Sequence, residues 1–100
     1  MLALGCDPAG YNLKCGIMKY LDDNGIEYKD YGCIEGEACD YPVIAKTVCD
    51  AVIAGKAEKA ILCCGTGIGI SMAANKVKGI RAAACSDYYS AKYTRVHNDA

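Results

Sequence analysis

From Ala60 to Lys76 the chain reads AILCCGTGIGISMAANK: a short apolar run, two cysteines, a glycine-rich turn and a helix-like segment. A strand that passes through such a turn directly into a helix is a unit of parallel α/β sheets, which limits the folds open to the whole chain. It places the thiol of Cys64 at the carboxyl end of a buried strand, where open α/β sheets hold their ligands. Backbone N–H groups and a helix N-terminus point at the same spot, an arrangement that suits an anion and favours a thiolate. Cys64 is therefore a candidate base or nucleophile. Cys63, its neighbour, falls on the opposite face of the strand by alternation.

The rest of the chain alternates strand and helix around this unit. Leu2 to Cys6 is a short apolar run that stops at Asp7-Pro8, an N-cap followed by proline at the first helical position. Leu13, Ile17, Tyr20 and Leu21 recur at helical spacing until Asn24-Gly25 ends the helix. Ile26 to Tyr31 reads as a strand, followed by a polar loop through Gly36. Pro42 opens a second helix that buries Val43, Ile44, Val48, Ala51 and Val52 and closes at Gly55. Lys59 to Cys64 is the third strand, and Ser71 to Lys76 lies in the helix after the glycine turn. Ile80 to Cys85 reads as a fourth strand, and Ser86-Asp87 caps a last helix through Tyr89, Ala91, Tyr93 and Val96. The order βαβαβαβα predicts an α/β fold, a Rossmann-like doubly wound parallel sheet, in a single domain over residues 1–100.

Composition narrows the function classes. A formal net charge of -1 gives no electrostatic basis for binding nucleic acid or an anionic membrane. No apolar run reaches the roughly 20 residues of a spanning helix, and Met1 to Gly5 lacks the features of a signal peptide, so a cytoplasmic protein is expected. The 8 cysteines approach the density of a disulfide scaffold. They sit mostly inside apolar periodic segments, however, and none forms C-x-x-C. Most are read as small buried hydrophobes, and neither a disulfide framework nor a metal site is expected.

Several separate segments resemble one family. Cys-Gly-Thr-Gly-Ile-Gly at 64–69, Ala-Ala-Asn-Lys at 73–76, Gly-Ile-Arg-Ala at 79–82 and His-Asn-Asp-Ala at 97–100 are similar to type B ribose-5-phosphate isomerases. That family includes the galactose-6-phosphate and allose-6-phosphate isomerases. Gly5-Cys6-Asp7, Ala9-Gly10-Tyr11 and Asp40-Tyr41-Pro42 fit the same pattern, in order along nearly the whole chain. The resemblance implies a cofactor-free aldose–ketose isomerase of carbohydrate metabolism, of the pentose phosphate pathway type, acting on a phosphorylated sugar such as ribose 5-phosphate. It also implies a homodimer or higher oligomer with shared active sites.

The resemblance assigns roles to particular residues. Cys64 takes the proton from C2 of the open-chain sugar, a task suited to a base that titrates near the working pH. Backbone N–H groups from Gly65 through Gly67 to Gly69 stabilise the enediolate oxygen, while also forming a tight strand-to-helix turn. Thr66 donates its hydroxyl to the sugar or caps the helix. His97, the only histidine, opens the furanose ring and reaches a neighbouring subunit's site, with Asn98 beside it as a substrate ligand. Asp7 holds sugar hydroxyls or serves as an N-cap, and Tyr41 lines the pocket. Asn75 and Lys76 brace the glycine turn.

Two departures from the family stand out. Pro8 occupies the place of a histidine that helps bind phosphate, and proline supplies no donor. Family members also continue past the point where this sequence stops, through a further strand and C-terminal helices whose arginines clamp the phosphate. Two other readings compete with a working isomerase. One is a non-catalytic or truncated relative that keeps the fold. The other is a nucleotide-binding module, disfavoured because Ile70 stands where G-x-G-x-x-G needs glycine.

Overall fold

The computed structural model describes residues 1–33 and 39–100. Strand β1 (Leu2–Cys6) leads through one 3-10 turn (Pro8–Gly10) into helix α1 (Tyr11–Asp23). Strand β2 (Tyr28–Asp30), helix α2 (Tyr41–Ile53), strand β3 (Lys59–Cys63), helix α3 (Ile68–Ala74) and helix α4 (Tyr88–Val96) follow. Part of the expected polar loop through Gly36 lies outside the described residues.

All described pairing is parallel, in the order β2-β1-β3. Leu2 lies opposite both Tyr28 and Lys59, and Cys6 lies opposite Cys63. The junctions form where the residue chemistry puts them. The Asp7 carboxylate accepts from the Gly10 N–H at 2.9 Å, as an N-cap should, with Pro8 behind it. Asn24 and Gly25 end α1, with Gly25 in the left-handed region at φ 65°.

Helices cover both faces of the sheet. On one face Cys6, Cys33 and Cys63 are buried together, with Tyr11 and Ile17 of α1 packed against them. On the other, Ala3, Val48 and Ala57 form one cluster, and Ala45, Cys49, Ile70 and Ala74 join α2 to α3 in another. Val48 is fully buried, which is worth about 1.5–3 kcal/mol. Gly5 lets α2 lie close on β1, because a Cβ there would stand 2.8 Å from Ile44 and Val48. Among the described residues no helix is long and apolar enough to cross a membrane.

Five expectations need correction. Ile80–Cys85 is not a strand: its Ala82 N–H and C=O are both taken by the Asn75 side chain, at 2.7 and 2.8 Å. A local side-chain partner replaces the ladder, and the exposed alanines after it offer no apolar face or β-propensity to restore one. Asn75 thus braces this segment rather than the glycine turn. In α1 the buried positions are Lys14 and Leu21, while Leu13 and Tyr20 are exposed, because the stripe facing the sheet runs one residue away from the apolar one. In α2, Val43 is 63% exposed, since Ala45, Val48 and Cys49 occupy the inner face. Finally, Cys33 and Cys39 form a disulfide with Cα atoms 6.1 Å apart, while Cys6, Cys15, Cys49, Cys63, Cys64 and Cys85 are free. Their residues lie mostly in apolar surroundings, as expected, but this pair is joined.

Candidate active site

The carboxyl ends of β1 and β3 meet at a crowded backbone crossing. The Asp7 N–H donates to the Cys63 carbonyl at 3.2 Å. Gly10 lies directly against β3: a Cβ on it would sit 2.3 Å from the carbonyl carbon and oxygen of Cys63 and 2.6 Å from the Cys64 nitrogen. No other residue type fits there without moving the strand end. Sequence reasoning gave Gly10 no role. The available signal was a glycine one turn into a helix entry, where helix propensity gives no reason for it.

Strand alternation then separates the two adjacent thiols. Cys63 points to the α1 face, where burial, and next the neighbouring Cys6, push its thiol up to about 11. Cys64 points to the other face and is half-buried against the cluster built by Ala45, Cys49, Ile70 and Ala74. The Gly67 N–H donates to its Sγ at 3.0 Å. Gly67 adopts φ 78°, a left-handed conformation that turns the chain into α3 and aims this amide back at the sulfur. Helix α3 begins at Ile68, earlier than the sequence suggested.

The rest of the turn is equally specific. The Thr66 oxygen accepts from the Ile68 N–H at 3.2 Å, so the hydroxyl anchors the helix start and keeps its own proton for another acceptor. Gly65 lies over Ala9, where a Cβ would approach the Ala9 Cβ to 3.5 Å. Tyr41, the first residue of α2, sets its ring beside Gly69, where a Cβ would be 3.1 Å from the ring carbons. Among the described residues the N–H groups of Gly65, Thr66 and Gly69 meet no protein acceptor. The site therefore combines a sulfur that accepts one amide, further backbone amides without a protein acceptor, one hydroxyl and an aromatic wall. That set can hold an oxyanion beside a proton acceptor.

Cys64, Thr66, Gly65, Gly67, Gly69 and Tyr41 are thus brought together, with Asp7 next to them across the β1–β3 crossing. His97 and Asn98 are not. His97 closes α4, its N–H donating to the Tyr93 carbonyl at 2.8 Å and its ring resting on Tyr93 with centroids 4.8 Å apart. Helix α4 has no buried residue. The Asn98 carbonyl accepts from Arg81 Nε and Nη2 at 3.1 and 2.8 Å, beside an open hollow of ≈ 360 Å³ also lined by Asn75, Ile80 and Thr94. Arg95 bonds Asp99, so both arginines are engaged within this C-terminal arm. Among the described residues no group of three His, Cys, Asp or Glu side chains is placed to hold a metal ion.

The chain is similar to known proteins along nearly its whole length. Residues 2–100 match the family model described as Ribose/Galactose Isomerase. Over 98 residues the chain is 49% identical to ribose-5-phosphate isomerase B of Escherichia coli, covering 98% of this chain and 66% of that protein. It is 46% identical over 100 residues to D-erythrulose-4-phosphate isomerase of Pectobacterium atrosepticum, covering 99% of this chain and 66% of that protein. The solved structure of ribose-5-phosphate isomerase B from Clostridium thermocellum superposes with a TM-score of 0.95 at 47% identity, covering 99% of this chain and 67% of that one. The chain spans about two thirds of the length of the curated relatives it matches.

Proposed function

This chain belongs to the ribose/galactose isomerase family, and from that premise we propose that it interconverts a phosphorylated aldose and its ketose, ribose 5-phosphate and ribulose 5-phosphate being the favoured pair. The observation that carries the reading is the Cys64 sulfur at the end of β3, half-buried and facing the glycine turn, with Cys63 turned away from it. The Cys64 thiolate takes the proton from C2 of the open-chain aldose. Negative charge moves onto the C1 oxygen, the C2 hydroxyl proton passes to that oxygen, and the thiol returns its proton to C1. The amides of Gly65 and Gly69 and the Thr66 hydroxyl face the oxygen on which charge develops, and one such donor is worth about 2.7–4 kcal/mol. Asp7 and Tyr41 bind the sugar.

His97 opens the ring, and Asn98 contacts the substrate, in the site of a second copy. The support is the position of α4, which buries no residue in its own chain and leaves Tyr88, Tyr89 and Val96 exposed, while α3 exposes Ile68 and Met72. We read the functional unit as at least a homodimer of this single domain, working without a cofactor in the cytoplasm. Two relatives of nearly equal identity carry names with different sugar phosphates, so substrate choice is the finer part of the proposal.

The test is turnover of ribose 5-phosphate by wild-type protein, by Cys64→Ala and by Cys63→Ala. Activity lost only in the first supports the assignment. Equal loss in both sinks it, and no turnover by the wild type favours a non-catalytic relative. Mixing Cys64→Ala with His97→Ala tests the shared site, because hybrid dimers recover activity only when the two residues serve one centre from different chains.

A further inference from the structure

The sealed face of the sheet carries a feature that the isomerase chemistry does not use. Cys33 and Cys39 are joined there, beside the free thiols of Cys6 and Cys63. The two ends of the bridge are held very differently. Cys33 is buried and fixed: its N–H donates to the Cys6 carbonyl at 3.0 Å, and its own carbonyl accepts from Lys14 Nζ at 2.8 Å. Lys14 is only 1% exposed, and its ammonium is anchored in turn on both oxygens of Asp30, at 2.8 and 2.9 Å. Cys39 is only partly buried, and its Sγ lies 3.9 Å from the Cys6 carbonyl. It comes immediately before Asp40, the N-cap residue of α2 whose carbonyl accepts from the Val43 and Ile44 N–H groups. Tyr41, packed on Gly69, is the next residue.

We propose that Cys33 and Cys39 are a reversible thiol-oxidation site, a clasp that fixes Asp40 and Tyr41 beside the glycine turn when closed and releases them when reduced. Its effect on sugar-phosphate binding rests on the isomerase reading, whereas the chemistry and the local ordering do not. Closure is a two-electron oxidation. A hydroperoxide accepts an electron pair from one thiolate, giving a sulfenic acid and an alcohol or water, and the second thiol displaces water as the S–S bond forms. Opening consumes a dithiol, which passes two electrons and two protons to the pair and is itself left as a disulfide. Because Lys14 and Cys6 hold the Cys33 end in place, Cys39, Asp40 and Tyr41 are the part set free. Cys63 does not compete for the bridge, since burial keeps it protonated and a thiol without its thiolate form is a poor nucleophile.

Three measurements on the intact chain test the clasp, after hydrogen peroxide and after dithiothreitol. Alkylation and peptide mapping should find Cys33 linked to Cys39 after peroxide, and both alkylated after reduction. Amide hydrogen exchange at Val43 and Ile44 should be about fivefold or more faster in the reduced protein, with Ala3 and Leu4 unchanged. Ribose 5-phosphate should bind several-fold more weakly to the reduced form. Cys39→Ser should behave as reduced under both treatments. Absence of the 33–39 link after peroxide, or equal exchange at Val43 and Ile44 in the two states, overturns the proposal. Equal ribose 5-phosphate affinity in both states overturns its connection to the site. Failure to bind the sugar in either state, with linkage and exchange responding as stated, removes the isomerase reading and leaves the clasp standing.

Discussion

Cys63 and Cys64 share a strand end, a residue type and almost the same coordinates along the chain, yet they inhabit different chemical worlds. The α1 side of β3 is closed: Cys6, Cys33 and Cys63 are buried, and the one buried charged side chain among the described residues, Lys14, is paired with Asp30. The α2–α3 side is open at its rim, where Cys64 meets an amide donor and the ring of Tyr41 stands over Gly69. One face excludes water, and the other leaves Cys64 partly exposed and Gly65 and Thr66 exposed. Which way a side chain points decides its surroundings, because one residue along the strand changes everything the sulfur touches.

The largest effect that sharpens this contrast is on turnover. Cys64→Ala should lower kcat for ribose 5-phosphate by about 10²–10⁴, the usual worth of a positioned base, while Cys63→Ala leaves kcat within a factor of a few. The next effect is on stability alone. Lys14→Met removes the charge that satisfies Asp30 and the Cys33 carbonyl, and should cost about 3 kcal/mol in urea unfolding. A change near zero would mean that Asp30, which is partly exposed, recovers its solvation without Lys14. Gly10→Ala acts on both faces, because the added Cβ must push the Cys63–Cys64 peptide aside. We expect about 2 kcal/mol of destabilisation, together with a fall in kcat that Cys63→Ala does not show.

The smallest effect concerns pH. The Cys63 thiol is raised from 9.0 to about 11 by burial, so folding favours its protonated form. The associated stability is complete below pH 9 and is lost as pH rises through 11. At pH 10 it amounts to about 1 kcal/mol. Unfolding free energy should therefore fall more steeply between pH 9 and 11 in the wild type than in Cys63→Ala. Parallel pH curves would place Cys63 in a wetter environment than its 3% exposure describes.

Much of this contrast could be read from the residues. The apolar run into a glycine turn located β3 and the turn, and the Asp7-Pro8 and Asn24-Gly25 signals marked the ends of the first helix because capping chemistry is local. Alternation alone put Cys63 and Cys64 on opposite faces. What failed to show was non-local. Lys14 lies inside because an aspartate sixteen residues on meets it, and periodicity counts a lysine as outward. Ile80–Cys85 falls where the strand–helix alternation calls for a strand, but the Asn75 side chain holds the Ala82 backbone instead. The tightness at Gly10 required knowing that β3 passes 2.3 Å from a Cβ that is not there. His97 and Asn98 carried a motif but no distance, and in one chain the motif stays apart from the turn it was expected to serve.

The Lys14–Asp30 pair also bears on the order in which the molecule can be made. Both charges, the Cys33 carbonyl that completes the lysine's hydrogen bonding, and the β1–β2 ladder lie within residues 1–33. The first crossover can thus close around its own neutralised charge as soon as that length has left the ribosome. It need not wait with a bare ammonium in its interior while the chain beyond residue 33 is synthesised. Nascent chains gain from such early self-sufficiency, because an apolar half-domain with an uncompensated charge is poorly packed and inviting to misassociation.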